Sequence, residues 1–154
     1  MRKYSVLMAL GLLSMLLISL QLSASPAPTP TIKAEVNIDP QVFNPNRRGA
    51  ITAYISNLTK DGVSYNVRDA NISTIKLYHE GIFVANLLRG KVEDNTLVVK
   101  FDAKIVADYI WSIIYHMGTI PPQANYTMEF TVVGKLFNGE QFAGSDTIKI
   151  VVLP

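Results

Sequence analysis

Oxygen-bearing side chains are the first residues whose spacing could do chemistry. Asp69-Ala70-Asn71-Ile72-Ser73, with Glu80 eleven residues after Asp69, has the outer spacing of a calcium-binding EF-hand loop. A hard cation takes carboxylate, amide and carbonyl oxygens, and such a loop offers them at alternate positions. Thr74 stands where that loop needs glycine for its sharp turn, so Asp69 and Asn71 read first as turn caps. Asp39, Asp102 and Asp146 would form a different calcium site only if separate loops met in space. No other cofactor is expected.

Catalysis has little to work with. The chain has two histidines, His79 and His116, and no Gly-x-Ser-x-Gly, His-Glu-x-x-His or phosphate-loop motif. A catalytic base needs an orienting partner and a reacting group beside it, and no spacing here supplies both. The expectation is a protein that is not an enzyme. Three Asn-x-Ser/Thr sequons begin at Asn57, Asn71 and Asn125, all in or beside expected turns. In an exported chain of a host that glycosylates asparagine, they would carry sugar. Tyr54, Tyr65 and Tyr78 would stack on a bound glycan if one sheet face aligned them. Trp111 lies off the apolar stripe of its helix and is a candidate for partner docking.

The elements that must position these residues are mostly strands. Ile32, Ala34, Val36 and Ile38 alternate with polar residues up to Asp39-Pro40, and Ile51, Ala53 and Ile55 alternate after a turn cluster at 44–49. Residues 57–73 read as polar and turn-rich, with a turn at Asp61-Gly62. Thr74–Tyr78, Ile82–Leu87 and Thr96–Phe101 follow as strands separated by Glu80-Gly81 and Glu93-Asp94-Asn95. Asp102 then caps a helix, because Ile105, Val106, Tyr109, Ile110, Ile113 and Ile114 recur at helical spacing. The helix is expected to end near Met117-Gly118, before Pro121-Pro122. Alternation resumes from Tyr126 to Val132. Asn138-Gly139 predicts a hairpin with positive φ at both turn positions, and Thr147–Val152 closes the domain.

The N-terminus sets the compartment. Met1-Arg2-Lys3, an uncharged apolar stretch over residues 4–22 and the small residues Ser23-Ala24-Ser25 are the features of an export signal. The stretch is also near the roughly 20 residues that span a bilayer, so residues 1–25 read as a signal peptide or an uncleaved N-terminal membrane anchor. Residues 26–31, with Pro26, Pro28 and Pro30, read as a Pro-rich spacer, and 32–154 as one β domain. Lys and Arg number 14 against 12 Asp and Glu, and Arg2 with Lys3 is the whole excess. A balanced body lacks the clustered basic excess of a nucleic-acid binder. Cysteine is absent, so core packing must hold the exported domain together, and a chain 49% apolar has the material for it. The fold class expected is all-β: an immunoglobulin-like antiparallel β-sandwich with one inserted helix, behind an N-terminal signal or anchor helix.

Three blocks together resemble a recurring exported β-sandwich module of archaeal and bacterial cell-surface proteins. The first is Val36-Asn37-Ile38-Asp39-Pro40 with Gly49-Ala50-Ile51-Thr52-Ala53-Tyr54-Ile55. The second is Ser73-Thr74-Ile75-Lys76-Leu77 with Val98-Val99-Lys100-Phe101-Asp102. The third is Phe130-Thr131-Val132-Val133-Gly134 with Gly144-Ser145-Asp146-Thr147-Ile148. The resemblance covers nearly all of residues 32–152. It implies a place in the envelope among other binding domains and no shared catalytic residue. This chain carries one copy. The function expected is therefore non-catalytic binding of envelope proteins or glycans at the cell surface. Alternatives are a self-associating pilus or filament subunit working by strand addition, and a carbohydrate-binding module. Membrane contact is expected only through residues 4–22.

Overall fold

The computed structural model describes residues 31–46, 48–116, 118 and 125–152. The expected signal or anchor segment, the prolines of the spacer, the end of the helix at Met117 and the Pro121-Pro122 stop lie outside the described residues. Along the chain come β1 (Ile32–Asp39), β2 (Val42–Phe43), β3 (Ala50–Lys60), β4 (Val63–Tyr65), a 3-10 turn (Val67–Asp69) and β5 (Ala70–His79). Then follow β6 (Ile82–Glu93), β7 (Thr96–Asp102), α1 (Ala103–His116), β8 (Asn125–Leu136) and β9 (Gln141–Val151). Among the described residues no helix is long and apolar enough to cross a membrane.

Among the described residues the all-β class with one late helix holds. The strands differ from two facing antiparallel sheets: they run β1-β3-β7-β6-β5-β8-β9, and β1 pairs again with β9, closing a seven-stranded barrel. The closing pair is parallel, Ile32 facing Phe142 and Lys33 facing Ala143, and β2 continues parallel along β9 at Val42 and Phe43. Closure leaves neither β1 nor β9 as an open edge.

Two devices make closure possible. Gly144 faces β1, and a Cβ there would lie 2.6 Å from Val36 Cγ2 and overlap the Ala34 carbonyl, so only glycine admits the neighbouring backbone. Asp146, two residues on, fills the gap where β1 leaves β9. Its carboxylate accepts the Ile38 N–H at 2.7 Å, the Gln41 side-chain amide at 2.7 Å and the Thr147 N–H at 2.8 Å.

Inside, residues of the long strands meet in one core: Ile38, Ile51, Ile55, Leu97, Phe101, Phe130 and Phe142 are fully buried. Each such side chain contributes roughly 1.5–3 kcal/mol of burial, which is how a barrel free of disulfides holds together. The stretch expected as polar and turn-rich over residues 57–73 instead holds the end of β3, β4, the 3-10 turn and the start of β5. Asn57 takes φ +49 and adds one residue opposite β1, which shifts the inward phase so that Leu58 is buried. Asp61-Gly62, Glu80-Gly81 and Asp94-Asn95 each have both residues at positive φ, as two-residue hairpin turns require. At Asn138-Gly139 only Gly139 does so. There a type I turn, with Gly139 N–H bonded to the Leu136 carbonyl, precedes a bulge, and Asn138 Oδ1 accepts the Glu140 N–H.

α1 starts as expected: Asp102 Oδ1 accepts the Lys104 N–H at 2.8 Å. Val106, Ala107, Ile110 and Ile114 are buried where the helix packs against β3, β6 and β7. Strand directions place α1, Asp39, Glu80 and Asn125 at one barrel end and Thr31, Asp61, Asp94 and Asn138 at the other.

Candidate functional site

Among the described residues, a groove of about 640 Å³ opens on the outer face of β5 and β8. It comes from a mismatch in pairing. Asn71 faces Lys135 and Lys76 faces Val133, so five steps along β5 span two along β8 and three residues of β5 are surplus. The β5 backbone leaves the ladder there. Thr74 repairs the break: its hydroxyl donates to the Asn71 carbonyl at 2.7 Å and accepts the Lys135 N–H at 2.9 Å. Beneath the groove Ile75 is buried. Gly134 is required because a Cβ would overlap the ring of Phe142 and lie 3.1 Å from Ile75 Cγ1.

Side chains around the groove follow from the register. Outward positions line up as Phe83, Tyr78, Thr131 and Ser145 across β6, β5, β8 and β9, and the next row holds Asn86, Lys76, Val133 and Ala143. Tyr78 and Phe83 meet edge to face at 6.0 Å, and the Lys76 ammonium stands 5.9 Å from the Phe83 ring centre. Thr131 and Ser145 share a hydroxyl hydrogen bond of 2.9 Å. The ion pairs among the described residues are Lys60–Glu140, Lys91–Glu93 and Lys104–Asp108, so neither groove lysine is neutralised. The groove therefore offers an aromatic wall, two free ammonium groups and several hydroxyls. It can hold a polar ligand with one apolar face.

The other expected sites fare unequally. The EF-hand spacing fails: Asp69 and Glu80 stand at opposite ends of β5, a ten-residue strand roughly 30 Å long. Asn71 Oδ1 accepts from the Ser73 hydroxyl at 2.7 Å, Asp102 caps α1, and Asp146 is occupied by three N–H donors. Asp39, at the end of β1, joins none of them in a cluster. Among the described residues no three His, Cys, Asp or Glu side chains gather. Of the sequon asparagines, Asn57 and Asn125 are exposed and Asn71 is half-buried.

The three tyrosines are not aligned. Tyr54 lies on β3 beside Val98, Tyr65 lies on β4 against the core, and Tyr78 alone reaches the groove. Trp111 is half-buried, rests 5.7 Å from the exposed Tyr115 ring, and lines a hollow with Pro45, Asn46 and Asp108. His79 is buried between Tyr109 and Phe130, while the exposed His116 donates from Nδ1 to the Ser112 carbonyl.

Sequence reasoning missed Lys76, Thr131 and Lys135 as groove residues and Phe83 as the ring that meets Tyr78 beside it. Phe83 was within reach, because a two-residue turn at Glu80-Gly81 sets His79 opposite Ile82 and hence Tyr78 opposite Phe83. Thr131 and Lys135 were not, since their register with β5 passes through the three-residue bulge. No known protein family matches the chain, and no curated protein does either.

Proposed function

We propose that this barrel is an exported, non-catalytic module of the cell surface that binds glycans or envelope proteins through the β5–β8 groove. The observation that carries the reading is the outward row of Tyr78 and Phe83 beside unpaired Lys76 and hydroxyl-bearing Thr131. An aromatic edge supplies a hydrophobic contact, and hydroxyls and ammoniums supply the directional bonds that select a saccharide or a polar peptide. The carbohydrate reading thus rests on Tyr78 with Phe83, and Tyr54 has no part in it.

Strand order supports an immunoglobulin-like strand plan for the module, the plan of the surface β-sandwich domains it resembles. β1-β3-β7-β6 follow the order A-B-E-D and β5-β8-β9 the order C-F-G, while β1 lies between β3 and β9, touching β9 at Ile32 and Lys33, and β2 lies along β9. Export rests on the basic head and apolar stretch of residues 1–22. A tether ahead of Thr31 would join the barrel at the end away from α1, leaving the helix and Trp111 on the far side. Filament formation by donation of the first strand meets an obstacle, because β1 is already paired with both β3 and β9.

The test is retention of the chain on immobilised envelope polysaccharide and on envelope protein extract. Tyr78→Ala together with Lys76→Gln is expected to abolish retention while leaving the melting temperature within a few degrees of the parent. Unchanged retention by that variant would remove the groove from the function.

A further inference from the structure

A second recess, of about 290 Å³, lies on the outer face of β6 and β7 and shares no lining residue with the groove. Arg89, Lys91 and Lys100 surround it, over Val98 and the backbone of Gly90. Its charge arises from register. β6 carries one extra residue between Leu87 and Arg89 as it passes from β5 to β7, which sets Arg89 directly opposite Lys100 and Lys91 opposite Val98. Like charges directly opposite across an antiparallel pair destabilise it. Lys91 is bridged to Glu93 at 2.5 Å, but Arg89 and Lys100 join no ion pair among the described residues. This chain gathers three cations in one hollow of a body whose charges balance overall.

We propose that this hollow is a binding site for an oxyanion, a phosphate or sulfate group, held by the Arg89 guanidinium and the Lys100 ammonium with Lys91 at the rim. A guanidinium presents paired N–H donors that match two oxygens of such a group, and an ammonium adds a compact charge. A bound anion between Arg89 and Lys100 turns their repulsion into two attractions. The same chemistry is offered by free phosphate and by a sulfate ester on a saccharide.

The full chain is titrated with inorganic phosphate and, separately, with a sulfated disaccharide, each against sodium chloride of equal ionic strength. Melting temperature and backbone amide shifts are followed. The expected result is a rise in melting temperature beyond that in chloride, with shifts centred on Arg89, Lys91 and Lys100. Arg89→Gln and Lys100→Gln are each expected to weaken binding roughly tenfold, whereas Lys149→Gln on β9 leaves it unchanged. Tighter binding of the disaccharide identifies the sulfate ester as the source, and tighter binding of phosphate identifies the free anion. Equal stabilisation by chloride means simple screening and overturns the proposal. So does a phosphate response that survives in Arg89→Gln, or wild-type amide shifts that lie elsewhere. Tyr78→Ala, which tests the groove, is expected to leave this response intact, so the two sites fail independently.

Discussion

Tyr109 and His79 are the residues most out of keeping with their surroundings. The Tyr109 hydroxyl and His79 Nδ1 are buried under α1 with no hydrogen-bond partner among the described residues, their rings 5.8 Å apart. An unmade bond of this kind costs about 1–3 kcal/mol. Burial, with a smaller contribution from the Glu80 carboxylate, pushes the Tyr109 hydroxyl above the usual phenol range. As pH rises past about 10 the unfolded chain loses this proton while the folded chain keeps it, so stability falls with further rise. Tyr109→Phe removes the unpaired group. It is expected to gain about 1 kcal/mol in urea unfolding at neutral pH and to flatten the alkaline loss; a less stable variant would mean the hydroxyl has a partner. Residue roles divide here by distance along the chain. Asp102 was legible as a helix cap because its partner, Lys104, is two positions away. Asp146 reads in the sequence only as a conditional calcium candidate, because its partner, Ile38, is 108 positions away.

At the scale of elements, the cores of the long strands were legible from alternation, but β2, β4, the first residues of β5, the second half of β6 and the bulges were not. Asn57 adds a residue to β3 and keeps Leu58 in the core, and the surplus residues of β5 open the groove. Each depends on what the opposite strand carries, so a single strand's pattern reads as broken when it is re-phased. The seam between β1 and β9 shows how little material such a junction needs. Gly144→Ala would drive a methyl group into the Ala34 carbonyl and Val36. It is expected to cost about 1–3 kcal/mol and to raise hydrogen exchange selectively in Ile32–Val36. A neutral outcome would show that β1 can yield at the seam without loss.

Taken whole, the molecule is a barrel whose first strand completes it. β1 supplies the buried side chains of Ile32, Val36 and Ile38 and closes the path between β3 and β9. A chain lacking residues 26–38 is therefore expected to lose cooperative thermal unfolding, followed by circular dichroism. A folded product that no longer polymerises would instead assign the strand to a neighbouring subunit. The class, the single helix and its cap, and the hairpin turns were determined by the sequence alone, because periodicity, capping and turn chemistry act over a few residues. Closure through a parallel pair, the groove under Tyr78 and the facing of Arg89 with Lys100 were decided only in three dimensions. Each is a matter of register between strands distant in the chain, and register answers to the bulges, glycines and buried contacts of both partners at once.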